Sequence, residues 1–248
     1  FGSFKHAREI NRALEVRNGD VFVTLDDDVE VTPGWLEALL ALAQPDVGVV
    51  GCVHYDAREG NKNNPIIDHA GGIVAIDGST SHYKQPLAKP ATAPFACSAC
   101  ILINDKSLRF DLDYNKYYQD VDLSLQAWEK GKKVVIAPHA IYHYISGQME
   151  MLGYDYQGKL RILAQDLEIF REKWIHNNRL RNLEAAIQGQ LDIPFSHNSF
   201  GSAAIFAAAS QLPPQHNEQR NAGSFSTQSV YAPEQAVMSN NSTQQLLR

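Results

Sequence analysis

The sequence predicts an α/β domain on a mostly parallel, Rossmann-like sheet with flanking helices. Residues 21–25 and 47–53 are short apolar, β-branched runs of the kind that fill strands buried on both faces. Between them, residues 35–43 carry a helical pattern, giving the strand, helix, strand order of a βαβ unit. The alternation returns further on, where a helical stretch at 119–129 leads into an apolar run at 134–137.

From residue 4 to 16, Phe4, Ala7, Ile10 and Leu14 recur at three- and four-residue spacing, and Asn18-Gly19-Asp20 closes the segment. Thr32-Pro33-Gly34 offers a helix N-cap with proline at the first helical position before Trp35. Residues 54–94 scatter Gly, Asn and Pro among short apolar runs and read as loops and edge hairpins, the parts of a fold that commonly meet ligands. Residues 95–103 form a further strand. In the helix at 119–129, Val121, Leu125 and Trp128 share a face and Gly131 stands where a C-terminal cap belongs. Residues 166–175 make an amphipathic helix with Leu167, Phe170 and Trp174 inward. Residues 177–248 are rich in Gln, Ser and Asn and poor in charge, and read as a disordered tail or linker beside a domain at 1–176.

The 248 residues are 44% hydrophobic and 20% charged, an ordinary globular composition, with a net charge of −6. No run of Lys or Arg marks a phosphate-backbone footprint, so nucleic acid is not an expected partner. No apolar stretch is long enough for a membrane span. Cys52, Cys97 and Cys100 make neither a closed disulfide set nor a zinc site, and read as buried small hydrophobes in a reducing compartment. The opening on a helix suggests a domain cut at its N-terminus, with its first strands missing.

Three motifs bear chemistry. Asp26-Asp27-Asp28 ends the first strand, where open α/β sheets bind ligands. Side chains alternate in an extended chain, so Asp26 and Asp28 share a side, and two carboxylates there suit Mg²⁺ or Mn²⁺. The competing reading is a solvated acidic turn. Asp120, in Tyr117-Tyr118-Gln119-Asp120-Val121-Asp122, begins a helix whose dipole favours the carboxylate, as a general base requires. Both Asp120 and Asp122 also fit as simple capping acids. Pro138-His139-Ala140-Ile141-Tyr142-His143 puts His139 and His143 on one side of an extended chain, as metal ligands or as structural histidines.

In combination, LDDDVEVTPGWLEALL, YYQDVDLSLQAWEKGKKVVIAPHAIYHY and the closing FREKW resemble glycosyltransferase family 2, inverting enzymes of GT-A fold, across residues 1–176. Ala7, Asn11 and Ala13 are similar to the helix preceding the family's D-x-D strand, and Asp68-His69-Ala70-Gly71-Gly72 to its H-x-G stretch. The resemblance implies donor binding at Asp26, Asp27 and Asp28, with Asp28, Asp26 and His143 around the metal and Asp120 as the base. It places His69, Gly71, Gln119 and Asp122 on the acceptor side. Gln119 and Gln126 depart from the family's Glu and Arg.

The implied reaction moves a sugar from a nucleotide-diphosphate sugar to a hydroxyl of a carbohydrate, lipid-linked or protein acceptor, with inversion. The expected location is the cytoplasm or the inner face of a membrane. A nucleotidyltransferase, which also uses aspartates and Mg²⁺, and a non-catalytic sugar-binding module are the alternatives.

Overall fold

A computed structural model describes residues 6–61, 64–143 and 156–210. Helix α1 (His6–Val16) buries Ala7 and Leu14. Its Asn11 amide acts as a short piece of sheet, donating to the Phe110 carbonyl at 2.7 Å and accepting the Phe110 N–H at 2.9 Å. Strands β1 (Phe22–Leu25) and β2 (Val29–Glu30), helix α2 (Trp35–Leu42) and strand β3 (Val47–Asn61) follow. Five short strands come next: β4 (Asn64–His69), β5 (Gly72–Val74), β6 (Thr80–His82), β7 (Ala91–Thr92) and β8 (Cys100–Ile103). Helix α3 (Gln119–Glu129) and strand β9 (Lys133–His143) complete the sheet. Helices α4 (Tyr156–Phe170), α5 (Arg179–Ile187) and α6 (Ser202–Ser210) form the C-terminal part, with a π-helical turn at Arg171–Ile175 between α4 and α5.

The α/β class and the central sheet are as expected, but the sheet is mixed rather than mostly parallel. Its order is β1-β8-β3-β9-β2, with β4 added on β3 and β7 on β9. Of these pairings only β3 with β9 is parallel. Strand β8 runs antiparallel between β1 and β3, so the two strands of the expected βαβ unit are not neighbours. Cys100–Ile103 is buried at all four positions, and burial on both faces does not encode direction. Two cores flank the sheet. Leu39 of α2 packs with Val50, Cys52, Cys100, Leu102 and Ala137 on one face. Trp128, Leu167, Phe170 and Trp174 fill the other with Ile101 and Ile136. The three cysteines are free, with Cys52 and Cys100 buried and Cys97 partly so.

Several expectations are corrected. Thr32 does not cap α2: Gly34, at φ 83°, takes that position, and the Thr32 hydroxyl donates instead to the Ala140 carbonyl at 2.6 Å. The strand expected at 95–103 begins only at Cys100, because residues 96–99 form a loop whose amides are spent on side chains. Strand β9 runs through Pro138 because the register slips between Cys52↔Ala137 and Val53↔Ala140, leaving Pro138 and His139 in a bulge where no ladder donor is needed. That bulge breaks the alternation that would have put His139 beside His143, and His139 Nε2 lies 2.7 Å from the Thr32 hydroxyl instead.

The tail expected at 177–248 is ordered through residue 210. Leu180, Leu183 and Ile187 of α5 are buried, as are Ile193 and Phe195 beyond it. Residues 190–196 dock on β7 of the main sheet and on the separate two-stranded β5-β6 sheet, where Ile193 N–H donates to the Thr92 carbonyl and Ser196 N–H to the Val74 carbonyl, both at 2.9 Å. The rest of the expected tail, 211–248, lies outside the described residues. Among the described helices none is long and apolar enough to cross a membrane.

Candidate active site

The aspartate turn, Asp26-Asp27-Asp28, links β1 to β2, the first and last strands in the sheet order, and β2 pairs Val29 to His143. Asp27 is exposed, whereas Asp26 and Asp28 are partly buried. Burial, with Asp28 beside it, pushes the Asp26 carboxyl up to about 6, and His143 acts in the opposite sense. His143 Nε2 lies 3.6 Å from Asp28 Oδ1. Two crowded carboxylates next to an imidazole make a donor set that favours a divalent cation. The ligand atoms of Asp26, Asp28 and His143 do not converge within 4.8 Å; among the described residues the group that does is Glu168, Glu172 and His176, exposed on the far helix.

Asp120 lies in the first turn of α3 and is fixed from two directions. Before it, Tyr118 takes a left-handed conformation at φ 63° that turns the chain into the helix. Behind that turn the fully buried Asp166 accepts the N–H groups of Asn115, Lys116 and Tyr117 at 2.7–2.8 Å and the Asn115 side-chain amide at 2.9 Å. The Asp120 carboxylate itself accepts Val121 N–H at 2.9 Å and Ser98 N–H at 3.2 Å. Burial nevertheless raises its pKa above the ordinary carboxylate value, outweighing these two donors.

The loop at 96–99 joins the two aspartate sites. Ser98 N–H donates to Asp120 and the Ser98 carbonyl accepts the Thr24 hydroxyl at 3.0 Å, and the Ala99 carbonyl accepts Asp26 N–H at 2.9 Å. Beneath the loop runs a row of imidazoles. His143, His54, His69 and His82 follow one another with ring centroids 5.6, 5.2 and 4.7 Å apart. His54 is buried with neither ring nitrogen hydrogen-bonded, and burial, with His143 and His82 near, depresses its pKa to about 3. His82 lies against Asp68, its Nδ1 3.3 Å from the Asp68 carbonyl.

The structure thus brings Asp26, Asp28, His143, Asp120 and His69 to one end of the sheet. It does not bring the other three acceptor-side candidates there. Asp122 is fully buried and faces the opposite side of α3, where Trp174, Lys173 and Gln126 hold it. Gln119 is buried under the Tyr114 carbonyl. Gly71 serves packing: at φ 124°, a Cβ there would meet Ile193 at 2.5 Å. Sequence reasoning missed Thr24, His54, His82, Ser98 and Asp166. Only His54 carried a local signal, an imidazole inside the apolar run of β3.

Residues 3–110 match the family model described as Glycosyl transferase family 2. The match contains Asp26, Asp28, His54, His69 and Ser98 and stops short of Asp120 and His143. No curated protein matches the chain by sequence. Among solved structures, GalNAc-T7 with UDP, GalNAc and Mn²⁺ is similar at 14% identity and a TM-score of 0.44, over 74% of this chain and 44% of that one. The mannosyltransferase PcManGT from Pyrobaculum calidifontis, in complex with GDP-Man and Mn²⁺, is similar at 16% identity and a TM-score of 0.42, over 82% and 58%. The chain spans about half the length of these two proteins.

Proposed function

We propose, from the glycosyl transferase family 2 match over residues 3–110, that this chain carries the catalytic end of a nucleotide-sugar glycosyltransferase with Asp120 as its base. The observation that carries this reading is the 96–99 loop. Through Ala99 it holds Asp26 and through Ser98 it holds Asp120, so the acidic turn and a second, separately fixed carboxylate are tied to one loop.

Asp28 and His143 would hold a Mg²⁺ or Mn²⁺ ion, with Asp26 beside them, and the donor's diphosphate oxygens would complete its shell. When bound, such an ion neutralises charge on a departing diphosphate. Asp120 takes the proton of the acceptor hydroxyl as that oxygen attacks the anomeric carbon. The new glycosidic C–O bond forms as the bond to the diphosphate breaks, and attack from the opposite face inverts the centre. A general base in this position contributes about 10²–10⁴-fold to rate.

Transfer and donor hydrolysis by the full chain and its Asp120→Asn variant test the reading. Turnover should fall by at least about a hundredfold while donor binding persists. Undiminished turnover in Asp120→Asn would remove the base assignment. Donor binding by wild type without any turnover would replace the enzyme with a sugar-nucleotide-binding module.

A further inference from the structure

In the 96–99 loop, three consecutive amides are spent on side chains. Ala96 N–H donates to the Ser124 hydroxyl at 3.3 Å, Cys97 N–H to His69 Nε2 at 3.3 Å, and Ser98 N–H to Asp120 at 3.2 Å. The first and last acceptors belong to α3, the helix that carries Asp120. His69 alone comes from elsewhere, the end of β4, and it is 1% exposed.

His69 cannot easily move. Its ring is tilted on His54 at 5.2 Å, meets His82 edge to face at 4.7 Å, and lies 6.0 Å from Phe95. Phe95 is seated on Gly72, where any Cβ would overlap its ring at 2.1 Å. Accepting from Cys97 requires Nε2 to be unprotonated, so the neutral ring carries its proton on Nδ1. The surroundings favour that form, since burial and the neighbouring imidazoles hold the His69 pKa well below its usual value. A buried acceptor aimed at a backbone N–H, with no route to solvent, is suited to fixing the loop and not to meeting an acceptor sugar.

We infer that His69 is a positioning residue for the transfer step, holding the Cys97 amide so that the next amide, Ser98, stays against Asp120. This revises the acceptor-side role expected for His69 and rests on the reading of Asp120 as the base. If the Cys97 bond is lost, the loop keeps its bonds to Ser124, Asp120 and Thr24 but loses its tie to β4, and both Asp120 and the Asp26 backbone lose a fixed neighbour.

The test compares His69→Gln and His69→Leu in the full chain. The Gln side-chain carbonyl can reach the place of Nε2 and accept, whereas Leu fills space and accepts nothing. Amide hydrogen exchange at Cys97 and Ser98 should quicken by an order of magnitude or more in His69→Leu and stay close to wild type in His69→Gln. In the transfer assay, His69→Leu should lose on the order of tenfold or more in kcat with the acceptor KM little changed, and His69→Gln should recover most of it. Equal losses in the two variants, or a raised acceptor KM at unchanged kcat, would overturn the inference. Unaltered exchange in His69→Leu would overturn it as well. Exchange also separates this inference from the reading it rests on: without wild-type turnover, protected Cys97 and Ser98 amides that loosen only in His69→Leu would uphold the loop anchor while the transferase reading fell.

Discussion

The indole N–H of Trp174, in the π-helical turn, donates to Asp122 Oδ1 at 2.7 Å, tying α3, the helix that carries Asp120, to the C-terminal helices. Lys173 reaches the same carboxylate at 2.8 Å, and the Gln126 amide donates to its Oδ2 at 2.7 Å. A π-helical turn presents adjacent residues at an unusual angle. Here that lets Lys173 and Trp174 both turn toward one buried acid.

Asp122→Ala should therefore destabilise the fold by about 2–3 kcal/mol, because it leaves the buried indole N–H of Trp174 without its acceptor, while Lys173 keeps Asp111. Asp122→Asn, which retains an acceptor for Trp174, should lose less. Urea unfolding midpoints at constant slope measure both. A midpoint within error of wild type for Asp122→Ala would show that the buried carboxylate does not hold α3 in place.

A divalent cation should raise the thermal midpoint of the protein through Asp28. Ligand at a hundred times its dissociation constant adds about 2.7 kcal/mol to a folded state that alone binds it. The shift produced by Mn²⁺ should largely disappear in Asp28→Asn. It should survive Glu172→Gln, which dismantles the exposed group at Glu168, Glu172 and His176. The reverse pattern would move the metal from the strand ends to the helix surface.

With Asp120 as the base proposed above, the pH dependence of transfer should reflect its raised pKa. A base must be unprotonated to act, so the rate should climb with pH through a value above the ordinary 3.8 of an aspartate. The linkage has the opposite sign for stability. The folded state keeps a proton that the unfolded chain has already released, so this group's contribution is present at low pH and is lost as pH rises through the folded pKa. A rising limb at an ordinary carboxylate pKa would count against a buried Asp120 as the proposed base.

What was legible beforehand follows from how local each signal is. Asp26, Asp28 and Asp120 stand out because crowded acids directly after an apolar run, and an acid at the head of an amphipathic helix, are patterns visible within a few residues. The bounds of α3 and its glycine stop at Gly131 are equally local. The 96–99 loop was hidden inside an apolar segment that also reads as strand; what makes it a loop is the distant Thr24, His69 and Asp120. The direction of β8 depends on which strands flank it, and Cys-Ile-Leu-Ile is the same in either. Asp166 lies 46 positions from Asp120 in sequence, within a helix where it reads as one more exposed acid. Its burial exists only because the turn at 115–117 folds over it.

The segment after His176 departs furthest from what its composition predicts, and it yields the sharpest test of where the domain ends. Its apolar residues are sparse, but Leu180, Leu183, Ile187, Ile193 and Phe195 are each at most 7% exposed. Ile193 closes over Gly71, and Thr92 binds the Asp192 carboxylate through both its N–H and its hydroxyl at 2.9 Å. Five buried apolar side chains at about 1.5–3 kcal/mol each amount to roughly 10 kcal/mol, comparable to the whole stability of a typical domain. A chain ended at His176 should therefore show no cooperative unfolding transition by circular dichroism. Leu183→Ala and Phe195→Ala in the full chain should each lower stability by about 3 kcal/mol. A truncated chain that unfolded cooperatively at the full chain's midpoint would return the boundary to residue 176 and reduce the docking of residues 190–196 on β7 to a surface contact.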